Sequence, residues 1–115
     1  MSVPFLYAGE SLLAHWTFDE IKDGIAVDST NEGRHAKVCG PNQTGGQVGR
    51  ALKFDGLDDY VELGELGEHN AVTIAFWVKI DDTDRPELQA LVSSDMWEEG
   101  VFHIALDHDK ISFYL

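Results

Sequence analysis

At 115 residues the chain is long enough for one hydrophobic core, and its 43% hydrophobic residues supply enough apolar material to offset chain entropy. Eight Lys and Arg against 21 Asp and Glu leave a net charge of −13, which repels phosphate backbones and anionic membrane surfaces, so nucleic-acid binding is not expected. The single Cys39 excludes an intrachain disulfide, no His and Cys cluster has zinc spacing, and no apolar run reaches the roughly eighteen residues of a membrane span, so no membrane insertion is expected.

Residues 1–10 (MSVPFLYAGE) set Pro4 and Gly9 around a few apolar side chains, which predicts a lead-in segment packed beside the body but outside its sheets; they lack the basic start of a secretion signal. Leu12 to Phe18 is rich in bulky apolar residues and predicts a strand, ended by the polar Asp19-Glu20 and Lys22-Asp23-Gly24. From Asp28 to Gly49 turn formers recur around one apolar island, Ala36 to Cys39, which predicts a long loop with one small strand. Gly45-Gly46-Gln-Val-Gly49 lacks the GK[ST] ending of a phosphate loop and reads as a structural bend.

Arg50 to Leu63 carries two alternating segments, with Leu52 and Phe54 on one face of the first, about the bend Asp55-Gly-Leu-Asp-Asp59; it predicts a β-hairpin. Asp55, Asp58 and Asp59 read as turn-capping carboxylates in preference to metal ligands. Ala71 to Ile80 has the strongest period-two pattern, with Val72, Ile74, Phe76, Val78 and Ile80 on one face. Leu88 to Val92, Val101 to Leu106 and Ile111 to Leu115 are further short strands, the last two joined tightly through Asp107-His108-Asp109-Lys110. Short strands between turns, with no convincing helix, predict an all-β antiparallel sandwich.

Taken in order, Leu12-Leu-Ala-His-Trp-Thr-Phe-Asp-Glu20, Asp28-Ser-Thr-Asn-Glu-Gly33, Arg50 to Leu63 and Val72 to Lys79 resemble the laminin G-like, concanavalin A-like lectin and glucanase jelly-roll family. The resemblance covers residues 11–115 and implies a jelly-roll domain that is incomplete at its C-terminus, since family members continue through further strands. It implies a non-catalytic module for recognising carbohydrate or a protein surface within a larger extracellular or cell-surface protein. It also implies a structural Ca2+ near the loop after the first strand. Carried onto this sequence, the ligands are Asp19 or Glu20, Asp28, Asn31 and the carbonyl of Gly33, with loop capping by the same residues as the alternative. The family's Asp-Ser-x-Gly-Asn-Gly loop stands here as Asp28-Ser-Thr-Asn-Glu-Gly33, without its first Gly.

Related glycosidases place paired carboxylates on one strand in an E-x-D-x-x-E pattern, which sets acid and nucleophile a few ångströms apart. Here Asp95 and Glu98 fit that spacing, but Ser93 stands where the leading Glu belongs, so the chain is not expected to be an enzyme. No G-x-S-x-G, H-E-x-x-H or EF-hand run occurs, and His15, His35, His69, His103 and His108 are scattered. Trp16 and Trp77 lie within strand patterns and read as packed residues. Trp97, in the polar loop Ser93 to Gly100 beside Asp95 and Glu98, is the aromatic placed to stack on a sugar, making these three the expected ligand contacts. Two other readings stand: a fragment of a jelly-roll glycoside hydrolase, or an assembly or adhesion domain that self-associates through open sheet edges.

Overall fold

The computed structural model describes residues 2–8, 11–81, 86–94 and 102–114, with residues 2–8 and 11 as backbone only. Among the described residues there is no helix; eleven strands pair into three sheets, every pairing antiparallel. The all-β, antiparallel expectation therefore holds. Among the described residues no helix is long and apolar enough to cross a membrane. The chain divides into two compact units, Met1–Lys79 and Ile80–Leu115.

In the first unit, β1 (Ser2–Ala8), β2 (Ser11–Lys22), β3 (Ile25–Asp28), β4 (Ala36–Cys39), β7 (Tyr60–Glu62) and β8 (Thr73–Trp77) form one sheet in the order β7-β4-β3-β2-β1-β8. β5 (Asn42–Gly45) and β6 (Arg50–Lys53) form a separate two-stranded ribbon. Residues 2–8, expected beside the sheets, are a sheet member hydrogen-bonded between β2 and β8. Pro4 has no N–H to give the ladder, and both registers shift across it, between Val3 and Leu6 on one side and Ser2 and Phe5 on the other. The strand tolerates the proline by bulging there.

β2 runs on to Lys22, past the expected end at Phe18, because Phe18 takes a left-handed turn (φ 61°) that re-aims the strand instead of stopping it. Its register with β3 shifts accordingly between Trp16 and Ile21. Asp23 and Gly24, both at positive φ (53° and 74°), then close a two-residue hairpin between Lys22 and Ile25, the turn that an Asp-Gly pair favours.

The core of this unit is Ala14, Trp16 and Phe18 of β2, Ala26 of β3, Ala36 of β4 and Leu52 of β6. Small alanines on β3 and β4, the next two strands of the sheet, leave room for the large rings of β2, and Leu52, 1% exposed, reaches the same cluster from the ribbon. Burying each of Trp16, Phe18 and Leu52 contributes about 1.5–3 kcal/mol or more. Ile74 and Phe76 of β8 pack against the cluster, as their alternation predicts, whereas Trp77 is 57% exposed on this edge strand.

The expected hairpin over residues 50–63 is not formed. β6 pairs with β5, placing Leu52 opposite Gln43, and β7 pairs with β4, placing Val61 opposite Val38. The two segments thus belong to different sheets. The intervening bend is shaped by its own carboxylates: Asp55 Oδ1 accepts the N–H groups of Leu57 (2.8 Å) and Asp58 (3.3 Å), and Asp59 Oδ2 accepts that of Asp55 (2.9 Å). Leu52 is drawn into the core from the ribbon while the chain crosses to the large sheet.

In the second unit, β9 (Gln89–Ser93), β10 (His103–Asp107) and β11 (Lys110–Tyr114) make a sheet in the order β11-β10-β9. His108, at φ 57°, lies in the two-residue turn between Asp107 and Lys110. Ile104 stands opposite Phe113 and Leu106 opposite Ile111, so the predicted apolar faces of the two strands coincide. The Phe102 and Phe113 rings stack with centroids 6.1 Å apart and planes 17° from parallel. Ala105 and Leu106 are buried, while Ile111 and Phe113 are exposed.

Candidate functional site

Two features flank the β2–β3 pair: the loop of residues 28–35 and an open depression beside it. Asp28, the last residue of β3, is 2% exposed. Its Oδ1 accepts the N–H of His15 (3.0 Å), the N–H of Thr30 (3.0 Å) and the Thr30 hydroxyl (2.8 Å), and its Oδ2 accepts the N–H of Arg34 (3.1 Å). Asp–x–Thr here is a local turn in which the carboxylate collects donors that have no strand partner. Burial pushes the Asp28 carboxyl up, but the bonds from Thr30, His15 and Arg34 outweigh it and hold the group below its ordinary 3.8.

The loop is tied to β2 from both of its ends. Ser29 N–H and hydroxyl donate to the His15 carbonyl at 2.8 and 3.2 Å. The Trp16 indole N–H donates to the Arg34 carbonyl (2.7 Å), and the Arg34 guanidinium donates to the Leu13 carbonyl (3.0 Å). His35 Nδ1 accepts the Asp28 N–H at 3.0 Å. Asn31 and Gly33 sit at the exposed turn with positive φ (66° and 75°).

The depression, about 220 Å³ and open to solvent, is lined by Thr17, Asp19, Glu20, Val27 and Ser29. Thr17 and Val27 come from adjacent strands, and the turn at Phe18 delivers Asp19 and Glu20 to the rim. Asp19 is partly engaged: its Oδ1 accepts the Arg50 N–H at 2.8 Å, and a Cβ on Gly49 would collide with the same oxygen.

The five residues expected to hold Ca2+ are thus divided: Asp19 and Glu20 line the depression, Asp28 is turned into the loop, and Asn31 and Gly33 form the turn. Among the described residues one group of three acids brings its oxygens within 4.8 Å of one another, Asp55, Asp58 and Asp59, in the bend where the Asp55 and Asp59 carboxylates already accept backbone N–H groups. The Leu57 N–H, above all, holds the Asp55 carboxyl below its ordinary value, against the opposing effect of burial and with help from the Asp58 and Asp59 bonds. Trp97, Asp95 and Glu98 lie outside the described residues.

Sequence reading did not single out Thr17, Val27, Ser29, Thr30 or Arg34. The Asp28–x–Thr30 spacing is the one local signal for the loop; the lining of the depression depends on β3 pairing with β2, which no local pattern announced. No family model, curated protein or solved structure matches this chain.

Proposed function

We propose that the chain is a non-catalytic recognition module on an antiparallel sandwich of jelly-roll type, binding carbohydrate through the β2–β3 depression, as part of a larger extracellular or cell-surface protein. The placement of the β5–β6 ribbon over the core face of β2, with Leu52 between them, supports a second layer facing the large sheet. The observation that carries the ligand class is the lining of the depression. Two carboxylates and two hydroxyls surround one aliphatic side chain, which suits a sugar that offers hydroxyls at its edge and C–H groups on its face.

A glycan array probed with the wild-type chain, Glu20→Ala and Trp97→Ala tests this. Binding to a restricted set of glycans, lowered at least about tenfold by Glu20→Ala, agrees with the reading. Binding that ignores Glu20→Ala removes the depression as the site, and silence across all glycans transfers the function to a protein ligand.

A second reading, self-association, has its own observation. Ile111 and Phe113 are 65% and 60% exposed on β11, an edge strand of the second unit's sheet. Mass that rises with concentration in light scattering, and falls to that of the 12.8 kDa monomer on Phe113→Lys, supports it; a monomer at every concentration rejects it.

A further inference from the structure

The resemblance assigns the shaping of the loop after the first strand to a calcium ion, and the donor set of that loop argues otherwise. We propose that residues 28–35 hold their conformation without a bound cation, Asp28 and Arg34 supplying from within the chain the ties that the ion would make.

Calcium takes six to eight oxygens at about 2.3–2.6 Å and requires lone pairs pointing inward. At Asp28 the groups pointing at the carboxylate are donors: three backbone N–H groups and one hydroxyl, at 2.8 to 3.1 Å. Oδ1 is surrounded by three of these donors and Oδ2 faces the Arg34 N–H, and Asp28 is 2% exposed, so little of either oxygen is open to an ion arriving from solvent. Ligation through Oδ1 would displace the His15 and Thr30 donors, and ligation through Oδ2 would compete with the Arg34 N–H.

Arg34 completes the substitution. Its guanidinium donates to the Leu13 carbonyl at 3.0 Å and pairs with Glu32 at 3.8 Å, while its own carbonyl is taken by the Trp16 indole at 2.7 Å. A fixed positive charge therefore bridges the loop to β2, and its repulsion disfavours a divalent ion nearby. Of the two alternative β2 ligands, Asp19 gives one oxygen to the Arg50 N–H and Glu20 lines the open depression.

The test is a calcium titration of the 15N-labelled chain followed by amide chemical shifts, which reads the loop separately from the acidic bend at residues 55–59. The expected result is no saturable change at the Ser29 to His35 amides; a saturable shift there overturns the proposal. In Arg34→Ala, hydrogen exchange of the same amides is expected to accelerate at least about tenfold and to stay fast when calcium is added. Restoration of protection by calcium would show an ion doing the work of the arginine. Should that variant not fold, the wild-type titration alone decides.

Discussion

Leu52→Ala tests whether the ribbon is joined to the large sheet by packing. Leu52 is 1% exposed and meets Ala14, Trp16, Phe18, Ala26 and Ala36 in the core. Truncating a buried Leu to Ala costs about 2.7–5.0 kcal/mol, the lower end applying where the surroundings collapse into the space. The ribbon has two strands and can settle toward β2, so we expect about 3 kcal/mol and a melting temperature lowered by roughly 10 °C for a chain of this size. Leu57→Ala is the control: the same truncation at 84% exposure is expected to change stability by less than about 0.5 kcal/mol. Urea unfolding followed by tryptophan fluorescence measures both, with Trp16 in the affected cluster as a reporter. If Leu52→Ala falls within about 0.5 kcal/mol of wild type, the ribbon is not part of this core and the packing argument is wrong.

The Asp28 carboxyl sits below its ordinary 3.8 in the folded chain, so its contribution is complete above about that value and lost as pH falls through the lower folded value. Denaturant melts from about pH 6 to about pH 2 should show Asp28→Asn less stable by about 1–3 kcal/mol at the upper end and converging on wild type at the lower end. A constant gap across the range contradicts this. Trp16→Phe removes the donor to the Arg34 carbonyl and should cost about 1–3 kcal/mol in the same melts, with faster exchange of the 28–35 amides; unchanged exchange would mean that the indole bond does not hold the loop. Gly49→Ala forces a side chain at φ 64° against the Asp19 carboxylate and should cost about 1–3 kcal/mol, whereas Gly45→Ala, which meets nothing nearby, should cost less than about 1 kcal/mol. Equal effects at the two positions would refute the collision.

The parts of the fold legible in the sequence are those where one strand face is buried and the turn chemistry is local. Ile74 and Phe76 pack on the core between the exposed Thr73 and Trp77, and β10 and β11 meet across a two-residue turn that puts their apolar faces together. β5 was illegible because Asn42, Gln43, Thr44 and Gly45 are all exposed and carry no hydrophobic pattern. β3 is only four residues long and runs straight into the polar loop, so Asp23-Gly24 marks the end of β2 more plainly than the start of a hairpin, although Asp-Gly between apolar runs favours one. Residues 50–63 show the limit of alternation: it says that two segments are strands, and not that they pair with each other. Leu52 and Val61 both read as inward, yet they stand in different sheets. The loop's acids were legible as capping residues or ligands, but which of these each one is depends on the donors that the fold brings to it.

One physical device recurs and changes how the acidity of the chain is to be read. Asp19 lies against Gly49 and Asp59 against Gly40, each so close that a Cβ on the glycine would collide with a carboxylate oxygen, and each glycine has positive φ (64° and 105°). These glycines admit a carboxylate to a turn, a use that a search for phosphate loops does not detect. Asp19 then takes the Arg50 N–H and Asp59 the Asp55 N–H, while Asp28 and Asp55 take backbone donors of their own loops. The net charge of −13 counts these four groups with the rest, but each has at least one oxygen committed to a backbone N–H. An acid is available to a ligand only after that commitment is subtracted. On this ground Glu20, which lines the depression on an exposed stretch of β2, is a better candidate contact than Asp28, although Asp28 belongs to the motif that first drew attention to the region.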